Sequence, residues 1–195
     1  MKKMILLFSI VLAFQSLSAQ SDKPDKTIMK PALLVIDVQK QFLPMMSKED
    51  QDRAIEMMNW SIWLFRQYGF PVIRVYHTSE KWGPKPDTPE FEFADSLKIE
   101  QSDPKIVKTY ASSFNKTGLN DLLKEKGVNT LFLCGLSSVG CVLSTYLDAA
   151  NYDHEAFLIR DALLSHDAGY TNQVETIFDA MDLNTINYMF KIRQE

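Results

Sequence analysis

Three residues that together could carry out covalent hydrolysis follow apolar runs at three separate places in the chain. Asp37 follows the aliphatic residues 33–36, Lys108 ends a second short run, and Cys141 follows a turn of residues 135–140 that is rich in glycine and serine. A thiol can attack a carbonyl carbon when a base removes its proton, and a nearby cation can stabilise the charges that develop. The pattern suggests a cysteine nucleophile with its own base and its own electrostatic partner.

Each of these residues also has a plain structural interpretation. An isolated buried cysteine is usually a packing residue, a carboxylate after a strand can cap a helix or form an ion pair, and a lysine at a strand end can be solvated. The turn before Cys141 favours the nucleophile, because such a turn exposes backbone N–H groups that can bind an oxyanion. The start of a helix would also lower the pKa of the Cys141 thiol. Cys134, inside an apolar run, is interpreted as a core residue.

Two further residues complete an Asp-x-Gln-x-x-Phe pattern that begins at Asp37. Gln39 could place a water molecule or the substrate. Phe42 could form a wall of the pocket, or it could simply belong to the core.

Composition places the chain among ordinary globular proteins. It has 195 residues, 46% of them hydrophobic and 24% charged, with a formal net charge of −4. This length fits one domain with its own core. A mildly acidic chain without a Lys/Arg cluster is a poor candidate for binding nucleic acid.

The first residues have the layout of a secretory signal peptide. Lys2 and Lys3 precede the apolar residues 4–14, and small and polar residues follow up to Ala19. The apolar run is too short to span a bilayer, which needs about 20 residues, so a membrane anchor is the weaker alternative. We expect residues 1–19 to be removed, residues 20–30 to form a loose leader, and the mature protein to be secreted or periplasmic, with no stable membrane insertion.

The remainder, residues 31–195, alternates between strand-like and helix-like segments. This order is typical of a three-layer α/β sandwich with a mostly parallel sheet, and ligands in such folds bind beyond the carboxyl ends of the strands. Asp37, Lys108 and the turn before Cys141 all lie at such ends. Six strands are predicted at 31–38, 71–76, 105–108, 130–134, 156–160 and 185–189, and helices are predicted at 50–68, 119–126, 142–150 and 173–181.

The chain resembles the isochorismatase-like cysteine hydrolases, which include nicotinamidases and N-carbamoylsarcosine amidases. The resemblance rests on four segments in order: Asp37-Val38-Gln39-Lys40-Gln41-Phe42, Lys108-Thr109-Tyr110-Ala111-Ser112-Ser113-Phe114, Gly135 to Val142, and Ile159-Arg160-Asp161-Ala162. Each segment alone is a weak signal, but all four in order, with Asp, Lys and Cys present, are strong.

The resemblance implies a role for each residue. Cys141 would attack the carbonyl, Asp37 would act as base and then as acid, and Lys108 would hold the charged pair. A cis peptide would join Leu136 to Ser137, and the backbone N–H groups of Ser137 and Cys141 would form the oxyanion hole. Gln39, Phe42, Tyr76 and Phe114 are the candidate substrate-binding residues.

Departures from the family pattern narrow the expected substrate. Metal-binding nicotinamidases have Asp-x-His after the second strand, and here Val75 replaces the aspartate, which leaves His77 as a residue of the pocket edge or a loop. We therefore expect no metal and no cofactor. Gly140 stands where a bulkier residue is common, which could enlarge the pocket.

The sequence thus favours an exported, metal-independent cysteine hydrolase that cleaves a C–N bond of a small amide or ureide through a thioester. An isochorismatase-type vinyl-ether hydrolase and a non-catalytic binding domain of the same fold remain open as alternatives. We expect a small-molecule substrate as the partner, and assembly into a homo-oligomer.

Overall fold

The computed structural model describes residues 28–81 and 83–194. The predicted signal peptide, the leader up to residue 27 and Trp82 lie outside the described residues. Among the helices of the described ranges, none combines the length and the apolar character needed to cross a bilayer.

The sheet has five parallel strands rather than six, in the spatial order β3-β2-β1-β4-β5. All residues of the central strand β1 and of its neighbour β4 are buried, which explains why their sequences are continuous apolar runs rather than alternating ones. The strands are β1 (Pro31–Ile36), β2 (Val72–His77), β3 (Lys105–Lys108), β4 (Thr130–Leu136) and β5 (Glu155–Leu164).

Helices cover both faces of the sheet, so the predicted α/β class with three layers is confirmed. Leu33 and Val35 of β1 pack against the first and last helices, whereas Ala32, Leu34 and Ile36 face the other three. The helices are α1 (Lys48–Gln67), α2 (Leu119–Glu125), α3 (Leu143–Ala149), α4 (Ala168–Ile177) and α5 (Leu183–Gln194).

The predicted sixth strand, residues 185–189, was wrong because these residues belong to α5. The side chain of Asp182 accepts hydrogen bonds from the backbone N–H groups of Asn184 (2.9 Å) and Thr185 (3.0 Å), which satisfies two of the free donors at a helix start. Ile186 and Phe190, four residues apart, are then both fully buried on one helical face. The apolar residues of this short segment fit both the two-residue period of a strand and the 3.6-residue period of a helix. The Asp182 cap and the burial of Ile186 and Phe190 decide in favour of the helix.

Candidate active site

The carboxyl ends of four neighbouring strands converge on one cavity of about 240 Å³. Asp37 follows β1, His77 ends β2, Lys108 ends β3, and Cys141 lies in a π-helical turn, Ser138–Val142, between β4 and α3. Asp37 has a left-handed backbone conformation (φ +54°), which aspartate tolerates better than most residues. The predicted grouping of Asp37, Lys108 and Cys141 is therefore present in the structure.

Asp37 and Lys108 form a buried ion pair at the base of the cavity. The Lys108 ammonium lies 2.6 Å from Asp37 Oδ2, and the two side chains are 0% and 3% exposed. Burial raises the pKa of the Asp37 carboxyl, and the Lys108 charge opposes that rise. Oδ1, the other oxygen of Asp37, accepts no N–H or O–H group from the described residues, so it is available to a proton from the neighbouring thiol.

Cys141 lies beside this pair. Its sulfur is within 4.8 Å of a carboxylate oxygen of Asp37, and burial together with the Asp37 carboxylate raises the thiol pKa to about 12. The sequence predicted a lowered pKa from the start of a helix, and the structure gives the opposite direction because desolvation dominates. Burial therefore favours the neutral thiol of Cys141 beside the Asp37 carboxylate.

His77 is the residue of this centre that the sequence analysis underrated. It is paired with Lys108 in the β2–β3 register, its side chain is buried, and its Nδ1 lies 3.3 Å from the Lys108 ammonium. Burial and the Lys108 charge lower the pKa of His77 to about 4. Its position at the end of a parallel strand was the signal that could have identified it, since Asp37 and Lys108 were selected by that same rule.

The nucleophile turn has the predicted cis peptide between Leu136 and Ser137. Ser137, Gly140 and Cys141 all line the cavity, so the two backbone N–H groups predicted to bind an oxyanion belong to residues of the cavity wall. A Cβ atom on Gly140 would lie 3.5 Å from the Ser137 Cβ, which leaves room for a side chain and so supports the expectation that this glycine enlarges the cavity.

Hydrogen bonds of hydroxyl groups connect the turn that carries Cys141 to neighbouring segments of the chain. Thr145 Oγ1 on α3 donates to the Cys141 carbonyl (2.7 Å) and accepts from the Ser113 backbone N–H (3.0 Å). The Ser138 hydroxyl pairs with that of Thr171 on α4 (3.1 Å). The nucleophile is thus connected both to the segment that follows Lys108 and to the helix that follows β5.

Part of the cavity lining is apolar. Phe42 belongs to it as predicted, with Met45, Met46 and Leu136. His166, an exposed residue after β5 that the sequence analysis left out of the pocket, also lines the cavity. The volume is below the 300–1,000 Å³ typical of pockets for drug-sized ligands, so the site fits a small molecule.

The structure does not bring the other three predicted substrate contacts to the cavity lining. The Gln39 side chain binds backbone groups of His77 and Phe91, Tyr76 stacks between Phe91 and Phe93, and Phe114 stacks on Tyr152. Each side chain is buried in contacts within the protein. Gln39 supports the site through the His77 backbone, whereas Tyr76 and Phe114 pack inside the protein away from the cavity lining.

One group of metal-ligating atoms occurs in the described ranges, and it coincides with this centre. A carboxylate oxygen of Asp37, a ring nitrogen of His77 and the Cys141 sulfur lie within 4.8 Å of one another. The Lys108 ammonium, 2.6 Å from Asp37, already supplies a positive charge there and would repel a second cation. The residues present therefore fit a cation-assisted thiol site better than a metal site.

Comparisons with known proteins agree with this fold. Residues 31–185 match the isochorismatase domain family. The chain is 31% identical over 163 residues to the uncharacterized isochorismatase family protein YrdC of Bacillus subtilis, covering 81% of this chain and 85% of that protein. It is 30% identical over 148 residues to streptothricin hydrolase of Streptomyces noursei, covering 74% of this chain and 59% of that protein.

Among solved structures, N-carbamoylsarcosine amidase from Thermoplasma acidophilum is similar with a TM-score of 0.67 and 25% identity, covering 79% of this chain and 95% of that one. The protein described here belongs to the isochorismatase family of hydrolases. Its relatives include enzymes that, by their names, hydrolyse amide bonds.

Proposed function

We propose that this protein is a cysteine hydrolase that cleaves a C–N bond of a small amide or ureide, with Cys141, Asp37 and Lys108 as its catalytic residues. The observation that carries the proposal is the buried Asp37–Lys108 pair at the base of a cavity, with the Cys141 sulfur within 4.8 Å of a carboxylate oxygen of Asp37. The amidases among the relatives support the class of reaction.

The first half of the reaction forms a thioester. Asp37 takes the thiol proton as the Cys141 sulfur attacks the carbonyl carbon, and the carbonyl oxygen becomes an oxyanion held by the backbone N–H groups of Ser137 and Cys141. The raised pKa of Asp37 makes its carboxylate a stronger base for this transfer. When the tetrahedral intermediate collapses, protonated Asp37 gives its proton to the leaving nitrogen, and ammonia or an amine departs.

The second half regenerates the thiol. Water attacks the thioester carbon and gives a proton to Asp37, and a second tetrahedral intermediate forms in the same oxyanion hole. Its collapse breaks the C–S bond, the proton returns from Asp37 to the sulfur, and the acid product leaves. Lys108 takes no part in these proton transfers, and its charge stabilises the carboxylate and the developing thiolate.

The cavity favours a substrate with a short apolar acyl group. The part of the substrate that does not react would face Phe42, Met45 and Met46, and apolar groups gain free energy by leaving water for such a surface. The small volume excludes bulky acyl chains. These features support a small amide or ureide over an extended substrate.

We further propose that the reaction needs no metal and that the mature enzyme is exported and self-associates. Lys108 supplies the positive charge that a metal would otherwise provide. Export rests on the signal-peptide layout of residues 1–19. Self-association would cover the exposed Trp60 and Trp63 on the outer face of α1.

Substitution of the nucleophile tests the catalytic proposal. A panel of short aliphatic amides and ureides is incubated with the wild type, Cys141→Ala and the matched control Cys134→Ser, with and without a chelator. We expect ammonia release by the wild type and by Cys134→Ser, no release by Cys141→Ala, and no effect of the chelator. Acid-quenched wild type should show the mass of an acyl adduct on the peptide that contains Cys141.

Retained activity in Cys141→Ala would overturn the mechanism, and loss of activity with chelator would overturn metal independence. Depletion of isochorismate without any acyl adduct would instead support the vinyl-ether alternative. Cys134 is a fair control because it is fully buried in β4, where its thiol contacts the Leu34 carbonyl at 3.6 Å.

A further inference from the structure

The Lys108 ammonium is held by two acceptors in the described residues. They are Asp37 Oδ2 at 2.6 Å and His77 Nδ1 at 3.3 Å, and the Lys108 charge also acts on the neighbouring Cys141 thiol. A lysine ammonium has donors only, so Nδ1 of His77 accepts and the ring proton lies on Nε2. A point charge on a flexible four-carbon chain is thereby held from two directions.

His77 is itself held unusually firmly. The Gln39 side chain accepts from the His77 backbone N–H (2.8 Å) and donates to the His77 carbonyl (3.0 Å) and to the Phe91 carbonyl (2.8 Å). The Phe42 ring lies beside the imidazole, with 6.2 Å between the ring centroids. The segment between β1 and α1 thus fixes the end of β2, and the end of β2 fixes the ammonium.

We propose that His77 is a positioning residue for Lys108. By accepting on Nδ1, its imidazole keeps the ammonium directed at Asp37 and at the sulfur during attack. The titratable groups that face His77 are Asp37, Lys108 and Cys141, with His166 on the rim of the same cavity. Without this acceptor the ammonium would rotate toward Asp37 alone, and the developing thiolate would lose its cation.

This inference rests on the proposed catalytic roles but can be tested without a substrate. The test measures the rate at which iodoacetamide alkylates Cys141, followed by mass spectrometry between pH 6 and 10, together with the melting temperature. The variants are His77→Asn, whose oxygen lies near the position of Nδ1, and His77→Leu, which removes the acceptor. The control is His154→Leu, which removes another buried histidine that stacks on Phe114.

We expect His77→Leu to slow alkylation roughly 10- to 100-fold at every pH, the range that loss of one hydrogen bond to a charged group predicts. His77→Asn should keep most of the rate. His154→Leu should lower the melting temperature without slowing alkylation. Once a substrate is found, His77→Leu should lower kcat more than it raises KM.

An unchanged rate in His77→Leu, or an equal loss in His77→Asn and His77→Leu, would overturn the inference. Should His77→Leu not fold, His77→Gln replaces it, because its oxygen lies nearer the position of Nε2, and it should be slow. If the alkylation rates follow the prediction but no amide is hydrolysed, the positioning role stands while the proposed amidase function fails.

Discussion

At the residue scale, the site depends on how buried charges compensate one another. Asp37 and Lys108 are both withdrawn from water, and such a pair is tolerated only when its geometry is good and its remaining donors are satisfied. His77 Nδ1 accepts from one of the remaining donors of Lys108. The Lys108 charge is also among the causes of the pKa shifts of Asp37, His77 and Cys141.

A dependence of stability on pH follows from the His77 pKa, lowered from 6.5 to about 4. Between these values the unfolded chain binds more protons than the folded one, so the free energy of unfolding falls as the pH drops through this window. Asp37, with its raised pKa, contributes the opposite slope there. We expect the melting temperature of the wild type to fall more steeply than that of His77→Asn between pH 6.5 and 4.5.

Thermal unfolding at half-unit pH steps measures this difference directly. His154 has a lowered pKa as well, but it is present in both proteins, and its contribution cancels. Parallel curves for the wild type and His77→Asn would show that His77 is not held in its neutral form in the folded state.

At the element scale, the position of the nucleophile depends on how closely β4 approaches the end of β1. Gly135 has φ +115° and pairs with Ile36, and the turn that carries Cys141 starts three residues later, at Ser138. A Cβ atom on Gly135 would lie 2.1 Å from the Ile36 carbonyl oxygen. Glycine is therefore required here both by the backbone conformation and by the contact.

Gly135→Ala should accordingly be one of the most disruptive single substitutions in the chain. We expect a loss of more than about 4 kcal/mol in the free energy of unfolding, because backbone strain and overpacking occur together. The matched control is Gly118→Ala, at a helix start with negative φ and no atom within 4 Å of the added Cβ. The control should change the free energy of unfolding by less than about 1 kcal/mol, because the lower chain entropy of alanine in the unfolded state and its poorer fit at a helix N-cap oppose each other.

Urea unfolding of soluble protein measures both variants, and failure of Gly135→Ala to accumulate in soluble form agrees with the expectation. Equal unfolding midpoints for the two alanine variants would contradict the close approach of β4 to β1.

At the scale of the whole molecule, one edge of the sheet collects all the reactive groups, because parallel strands bring their carboxyl ends together. The faces of the sheet are covered by helices, so the strands carry stability while the turns beyond them carry chemistry.

The proposed export predicts a specific mature chain. Expressed with its leader in a bacterial host, the protein should be recovered outside the cytoplasm with the mass of a chain that begins at Gln20. The matched control, Leu7→Arg, places a charge in the apolar run and should retain the full-length mass, because signal peptides require that run. Wild type of full-length mass in the membrane fraction would favour the anchor alternative instead.

Much of the architecture could be predicted from the sequence, because strands and helices depend on local patterns of apolar residues. The continuous apolar run before Asp37 indicated a strand buried on both faces, and the order of strands and helices indicated a parallel sheet with three layers. The same logic placed Asp37, Lys108 and Cys141 at strand ends, and the structure brings them together. Residues 185–189 were assigned to a strand because a five-residue segment fits the period of a strand as well as that of a helix. The Asp182 cap and the contacts with the core make the segment helical.

The sequence by itself determined the elements and the types of reactive group, because backbone periodicity and side-chain chemistry are local properties. Only the tertiary structure decided which side chains face the cavity. The side chains of Gln39, Tyr76 and Phe114 contact other parts of the protein, whereas His77 and His166 line the cavity. The reason is that the direction of a side chain depends on strand register and on packing against distant segments. The tertiary structure also decided the direction of the Cys141 pKa, since desolvation depends on everything that surrounds the thiol.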